Sequence, residues 1–123
     1  MVEHIEGLPP GVRGVRIWGK LSREEYDETI LPELQTAAQD DAEIRYLLQV
    51  GPDYDGIKAG ALFEDAKEGA RLLLERPNWK RTAVVTEEEL ILRAISLFGW
   101  LTPGDVKTFR LDELEAAKEW VAG

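Results

Sequence analysis

The chain has no cysteine and only one histidine, His4, among its 123 residues. Thiol catalysis, disulfides and Cys/His metal clusters are thereby removed. His4 falls in the first expected strand with no partner in sequence to tune it, so it is not read as a catalytic base. Positive charge is scarce as well: 15 Lys and Arg stand against 24 Asp and Glu, a formal charge of −9. That balance repels phosphate backbones and anionic lipid surfaces, so nucleic acid is not an expected partner. Nowhere do about 18 apolar residues run together, and no charged n-region leads into an apolar stretch, so neither membrane insertion nor secretion is expected and the cytoplasm is the default. Linkers, low-complexity segments and internal repeats are missing too, which makes residues 1–123 a single domain.

The apolar pattern alternates between strand and helix periods. Val2–Ile5 and Gly11–Gly19 are β-compatible and separated by Gly7-Leu8-Pro9-Pro10, which suits an antiparallel hairpin. Ser22-Arg23-Glu24-Glu25 has capping-box spacing, and Tyr26, Ile30, Leu34 and Ala37 or Ala38 then mark one helix face. Pro32 lacks an N–H and clashes with the carbonyl of Glu28, so a kink or split is expected there. Ile44–Val50, closed by Gly51-Pro52, reads as the central strand. An amphipathic helix over 58–75, a strand over 81–85, a helix opened by a second capping box at Thr86-Glu87-Glu88-Glu89, a strand over 106–111 and a helix capped at Asp112-Glu113-Leu114-Glu115 follow. The expected fold is α/β: a mostly parallel five-stranded sheet with one antiparallel edge strand and helices mainly on one face, because Arg13, Arg16, Arg45, Gln49, Thr82, Lys107, Thr108 and Arg110 interrupt the strands.

Four stretches carry a resemblance: Gly14-Val15-Arg16-Ile17-Trp18-Gly19-Lys20-Leu21-Ser22-Arg23-Glu24-Glu25-Tyr26, Leu31-Pro32-Glu33-Leu34, Gly60-Ala61-Leu62-Phe63-Glu64-Asp65 and Leu97-Phe98-Gly99-Trp100-Leu101-Thr102-Pro103-Gly104. Their order and spacing over nearly the whole chain resemble the SpoIIAA-like proteins, bacterial single-domain relatives of STAS domains that share a general fold with CRAL-TRIO lipid carriers. The resemblance implies a STAS-like binding or regulatory module, not an enzyme. STAS domains that antagonise anti-sigma factors carry a phosphorylatable Ser or Thr at the start of the helix after the central strand. Here that segment, Asp53 to Lys58, contains neither, so no Ser/Thr phosphoswitch is expected.

Function is expected where the central strand turns into the next helix, because ligands gather outside the carboxyl ends of parallel strands beside unpaired helix N–H groups. The candidate binding residues are Asp53, Tyr54, Asp55, Gly56, Lys58, Leu62 and Phe63, with Trp100 and Leu101 from the loop after the third long helix. Asp53 and Asp55 have no third close ligand, so no metal is expected, and no cofactor motif is present. Four tryptophans are many for this length; at loop positions they offer apolar area for an interface or simply cap the core. Arg16, Trp18 and Thr108 are expected to share a partly uncovered sheet face that supports a homodimer. The leading reading is a non-enzymatic module that recognises a protein through the junction 53–63. The alternative is a carrier or sensor of a small apolar or lipid-like ligand, which requires a cavity among Phe63, Leu62, Ile95, Phe98 and Trp100.

Overall fold

Strand β1 (Val2–His4) pairs antiparallel with β2 (Val12–Ile17), and β3 (Ile44–Val50), β4 (Trp79–Val85) and β5 (Asp105–Phe109) add in parallel. The order is β1-β2-β3-β4-β5, so the strand expected at the centre is there. The computed structural model describes residues 1–20, 22–40, 42–52, 79–98 and 104–123. The helical segments are α1 (Arg23–Glu25), a π turn (Tyr26–Ile30), α2 (Leu31–Asp40), α3 (Glu89–Phe98) and α4 (Leu114–Ala122), the last preceded by a 3₁₀ turn at Leu111–Glu113. The expected helix over 58–75 lies outside the described residues.

The Ser22 capping box forms as expected. The Glu25 N–H donates to Ser22 Oγ at 3.1 Å, and the Ser22 N–H donates to a Glu25 carboxylate oxygen at 3.3 Å. Pro32 does not split the helix. The five residues Tyr26–Ile30 widen into a π turn, with the Leu31 N–H donating to the Tyr26 carbonyl, and α2 continues from there. A wider turn is one way to seat a proline whose ring would otherwise meet the carbonyl four residues back.

The Thr86 box differs from its expected form. The Thr86 N–H donates to the Phe109 carbonyl at 2.9 Å, so no free donor is left there for Glu89. The buried Thr86 hydroxyl instead accepts from the Glu88 N–H at 3.1 Å. At the last helix the cap also acts one turn early, a Glu113 carboxylate oxygen accepting from the Arg110 N–H at 2.8 Å.

Two apolar layers sandwich the sheet, sorted by the two-residue period of the strands. Val15, Ile17, Tyr46 and Leu48 face the π turn and α2, where Ile30, Ala37, Tyr26, Leu31 and Leu34 meet them. Val12, Leu47, Ala83, Val85 and Phe109 face α4, where Ala117 and Val121 are fully buried. A one-residue register shift between Ile44 and Arg45 places Trp79 with Ile44 on the α2 layer, although Trp79 shares the parity of Ala83.

Right-handed crossovers in a strictly sequential strand order put connecting helices on one face, which is where α2 lies. The closing helix α4 covers the other. The strand arginines therefore do not mark a bare face; they sit at the ends of rows whose centres are covered.

Candidate functional site

Because β2 to β5 run parallel, their carboxyl ends form one rim. Trp18-Gly19, Gly51-Pro52, Thr86 and Arg110 follow the four strands there, and the Ser22 and Thr86 hydroxyls cap backbone donors along it. The Gly51 N–H ties the rim together by donating to the Ile17 carbonyl at 2.8 Å. At the β5 end, Arg110 Nε lies 3.8 Å from a Glu87 carboxylate oxygen and 3.6 Å from one of Asp112, all three side chains being exposed. Such exposed pairs contribute little to stability and remain available for exchange with a partner's charges.

The residues singled out for binding, Asp53, Tyr54, Asp55, Gly56, Lys58, Leu62, Phe63, Trp100 and Leu101, lie outside the described residues. Gly51 and Pro52 bring the chain to the rim at the centre of the sheet, from which that junction departs. The three expected interface residues do not share a face. Arg16 aligns with Gln49, Val85 and Phe109, whereas Thr108 aligns with Val84, Leu48 and Val15. Adjacent strand residues point oppositely, so Arg16 lies on the α4 side and Thr108 on the α2 side, with β3 and β4 between them. Trp18 follows β2 and is half-buried. Arg16 is also engaged locally: its Nε donates to Gln49 Oε1 at 3.1 Å and its Nη1 to Glu3 Oε1 at 3.1 Å.

A polar cluster under α2 has no counterpart in the sequence reading. Glu33 reaches down from α2 onto His4 of β1, and its side chain is only 10% exposed. Arg13 and Tyr46 are cross-strand neighbours on the same face. Burial pushes the Glu33 carboxyl above its ordinary value, against the opposing pull of His4 and Arg13. The Tyr46 phenol is driven far above its usual range, first by burial and then by the negative charge of Glu33. Burial also raises Tyr26, with Asp27 adding to the shift. Among the described residues, Glu33 Oε1 and the Tyr46 hydroxyl here, and Arg81 Nε on the opposite face, are buried without a hydrogen-bond partner. The residues of this cluster come from β1, β2, the π turn, α2 and β3, and only the strand register and the α2 phase bring them together.

On the α4 side, Arg45 Nη1 donates to the Val121 carbonyl at 2.9 Å and Arg81 Nη1 to the Trp120 carbonyl at 2.7 Å. These aligned guanidiniums donate to carbonyls of the last helical turn and oppose its negative pole. Arg81 also lies 5.1 Å from the Trp120 ring centroid, and Trp120 packs on Phe109 at 5.9 Å, so Trp120 caps the core. A shallow cleft of ≈ 380 Å³ opens at the β1 edge between Glu3, Ile5, Arg16, Leu114 and Lys118. Among the described residues no three His, Asp or Glu side chains are placed to hold a metal ion, and no helix is long and apolar enough to cross a membrane.

A family model described as SpoIIAA-like matches residues 12–122. No curated protein and no solved structure matches the chain. The matched range begins at the first residue of β2 and runs through α4, taking in the parallel sheet and its rim while leaving β1 outside. On that coverage, the chain belongs to the SpoIIAA-like family, whose STAS-type members are regulatory or binding modules.

Proposed function

We propose that this protein is a non-enzymatic, cytoplasmic regulatory module that recognises a protein partner at the rim, through the loop-helix junction 53–63, without a Ser/Thr phosphoswitch. The observation that carries this reading is the common edge at which four parallel strands end, with the junction leaving from the middle strand. Family membership supports the class of function. The composition of residues 53–58, which offer Tyr54 as their single hydroxyl, supports the lack of the switch.

The expected self-association through a bare sheet face loses its premise, since α4 covers the centre of the face that carries Arg16. Among the described residues the only exposed large apolar side chain is Met1.

Photo-crosslinkers at positions 54 and 62, compared with one at Lys107 on the β5 edge, test the site in lysate of the protein's own host. Capture of one protein from 54 and 62 and not from 107 is the expected result; equal capture from all three removes the rim as the site. Peptide mapping after incubation with lysate and ATP tests the switch, and stable phosphate between Asp53 and Lys58 would restore it. Native mass spectrometry of the same preparation tests the carrier alternative, which a retained apolar ligand would establish in place of this reading.

A further inference from the structure

β1 is a small element held by specific contacts. It has three residues, two of them exposed, and it covers the edge of β2, where Val15 is fully buried and Ile17 is 5% exposed. Its attachments are the short ladder to β2, the Met1 ammonium donating to the Trp18 and Lys20 carbonyls and lying near Glu25, an exposed Arg16–Glu3 pair, the His4–Glu33 contact, and the packing of Val2 into one core layer and, just beyond the strand, of Ile5 into the other. Short edge elements with few buried contacts open at much lower free energy than the whole domain. Opening here strips an apolar strand of its cover and leaves a row of unpaired backbone groups, a state that is strongly driven to pair again.

The segment between β1 and β2 supplies the hinge. Residues 5–11 turn back through Gly7 at φ 73° and Gly11 at φ 82°, with the Val12 N–H donating to the Pro9 carbonyl at 3.1 Å. Between those glycines stand Pro9 and Pro10, which fix their own φ and hold Leu8 and Pro9 out of the helical region. Extended as a polyproline-like strand, these seven residues reach roughly 20 Å, enough to carry β1 onto a neighbouring molecule. The family core begins at Val12, so β1 and this segment lie outside the matched range.

We propose that β1 exchanges between two copies of this chain, each β1 pairing with the β2 of the other in the register seen within one molecule. The partner is fixed by chemistry. Only a strand with an apolar residue opposite Ile17, a carboxylate opposite Arg16 and an imidazole within reach of Glu33 rebuilds every contact, and a second β1 supplies all three. The exchange is reciprocal, so it closes as a two-fold dimer and does not propagate. It gains no new contact beyond the hinge, so the dimer grows with concentration from a predominantly monomeric chain.

The absence of native cysteine makes the test direct. One chain carries Glu3→Cys and a differently tagged chain carries Arg16→Cys, at positions directly paired in the β1–β2 register. The two are mixed at millimolar concentration, incubated, diluted and oxidised with glutathione disulfide. Strand exchange gives a covalent heterodimer of about twice the 13.9 kDa chain mass, in a yield that rises at least several-fold over a tenfold increase in mixing concentration. A control mixture of Glu3→Cys and Lys107→Cys chains, whose thiols no exchange brings together, should give only background. A single chain carrying both Glu3→Cys and Arg16→Cys should close its own disulfide and so report that the register is intact. Replacing Pro9 and Pro10 by Ala should lower the heterodimer yield at least twofold. A yield no higher than the Lys107→Cys control at every concentration, with the doubly substituted chain closing internally, overturns the proposal.

Discussion

Tyr46 and Leu47 are neighbours in β3, both buried in the middle of the sheet, and they face opposite layers of different chemistry. On the Leu47 side the row is apolar to its centre, and the polar side chains at its ends make hydrogen bonds: Arg45 and Arg81 through Nη1 to the carbonyls of α4, with Arg81 Nε left buried and unpaired among the described residues, and Arg16 to Gln49 and Glu3. On the Tyr46 side, ionisable groups are enclosed under α2 with two oxygens left unpaired. The two layers differ in what is enclosed: a carboxyl and a phenol lie under α2, whereas under α4 the polar groups stand at the ends of an apolar row. Dispersion and burial hold the α4 layer tightly, while the α2 layer accepts electrostatic penalties that its apolar neighbours offset.

The largest break in that contrast should come from Leu47→Ala. Its side chain is fully buried among Val12, Ala83, Val85 and Ala117, so the lost burial and the cavity together should cost about 2–5 kcal/mol. Urea unfolding checks this, and a loss below about 1 kcal/mol would show that the α4 layer collapses readily around the gap. Next in size is Gly14→Ala on the same layer. Gly14 pairs with Leu47, and a Cβ there would stand 2.7 Å from the Leu47 carbonyl oxygen. Backbone must shift to admit it, so a loss of about 1–3 kcal/mol is expected.

These two positions also mark what a sequence reading can reach. Strand identity, the central place of β3, the Ser22 cap and the antiparallel opening follow from local pattern, because period and capping chemistry act over a few residues. Facing is harder. Arg16 and Thr108 looked alike as polar interruptions, and only the register across β3 and β4 separates their sides. The His4–Glu33–Tyr46 cluster was equally hidden, since its members come from β1, α2 and β3 and meet through tertiary packing. The Thr86 box failed for a related reason: its amide was already engaged by a strand that arrives more than twenty residues later. The candidate residues at 53–63 and 100–101 lie outside the described residues and stand on the sequence and the rim alone.

A smaller, pH-dependent effect is expected at Glu33. Burial raises the Glu33 carboxyl above its ordinary value of 4.5, so the folded chain holds that proton more tightly than the unfolded chain does. Its contribution is fully present below the unfolded value and is lost as pH rises through the higher folded value. Glu33→Gln removes that loss. The variant should therefore gain stability relative to the parent as pH rises from about 4 into the neutral range, where the parent carries a buried carboxylate; a difference independent of pH over that span would show that His4 and Arg13 fully offset the burial.

The smallest change is expected at Tyr46 itself. A buried tyrosine whose hydroxyl is well bonded loses about 1 kcal/mol on conversion to phenylalanine, because a partner is left stranded. Here the hydroxyl has no partner, and the nearby Glu33 charge opposes its ionisation. Tyr46→Phe removes a polar group already stripped of water and strands nothing, so stability should stay within about 0.5 kcal/mol of the parent or rise. The ring keeps its place between β3 and α2, which separates this test from a packing change. A loss above about 1 kcal/mol would mean that the hydroxyl is bonded after all, with an ordered water bridging it to Glu33 Oε1 as the simplest partner. Repeating the substitution in the Glu33→Gln chain distinguishes the two cases: a bridged pair shows a coupling of about 0.5 kcal/mol or more, and two independently stranded oxygens show additive effects. With Leu47→Ala measured beside it, adjacent residues of one strand would then bracket the range of responses in this domain, set by which side of the sheet each one faces.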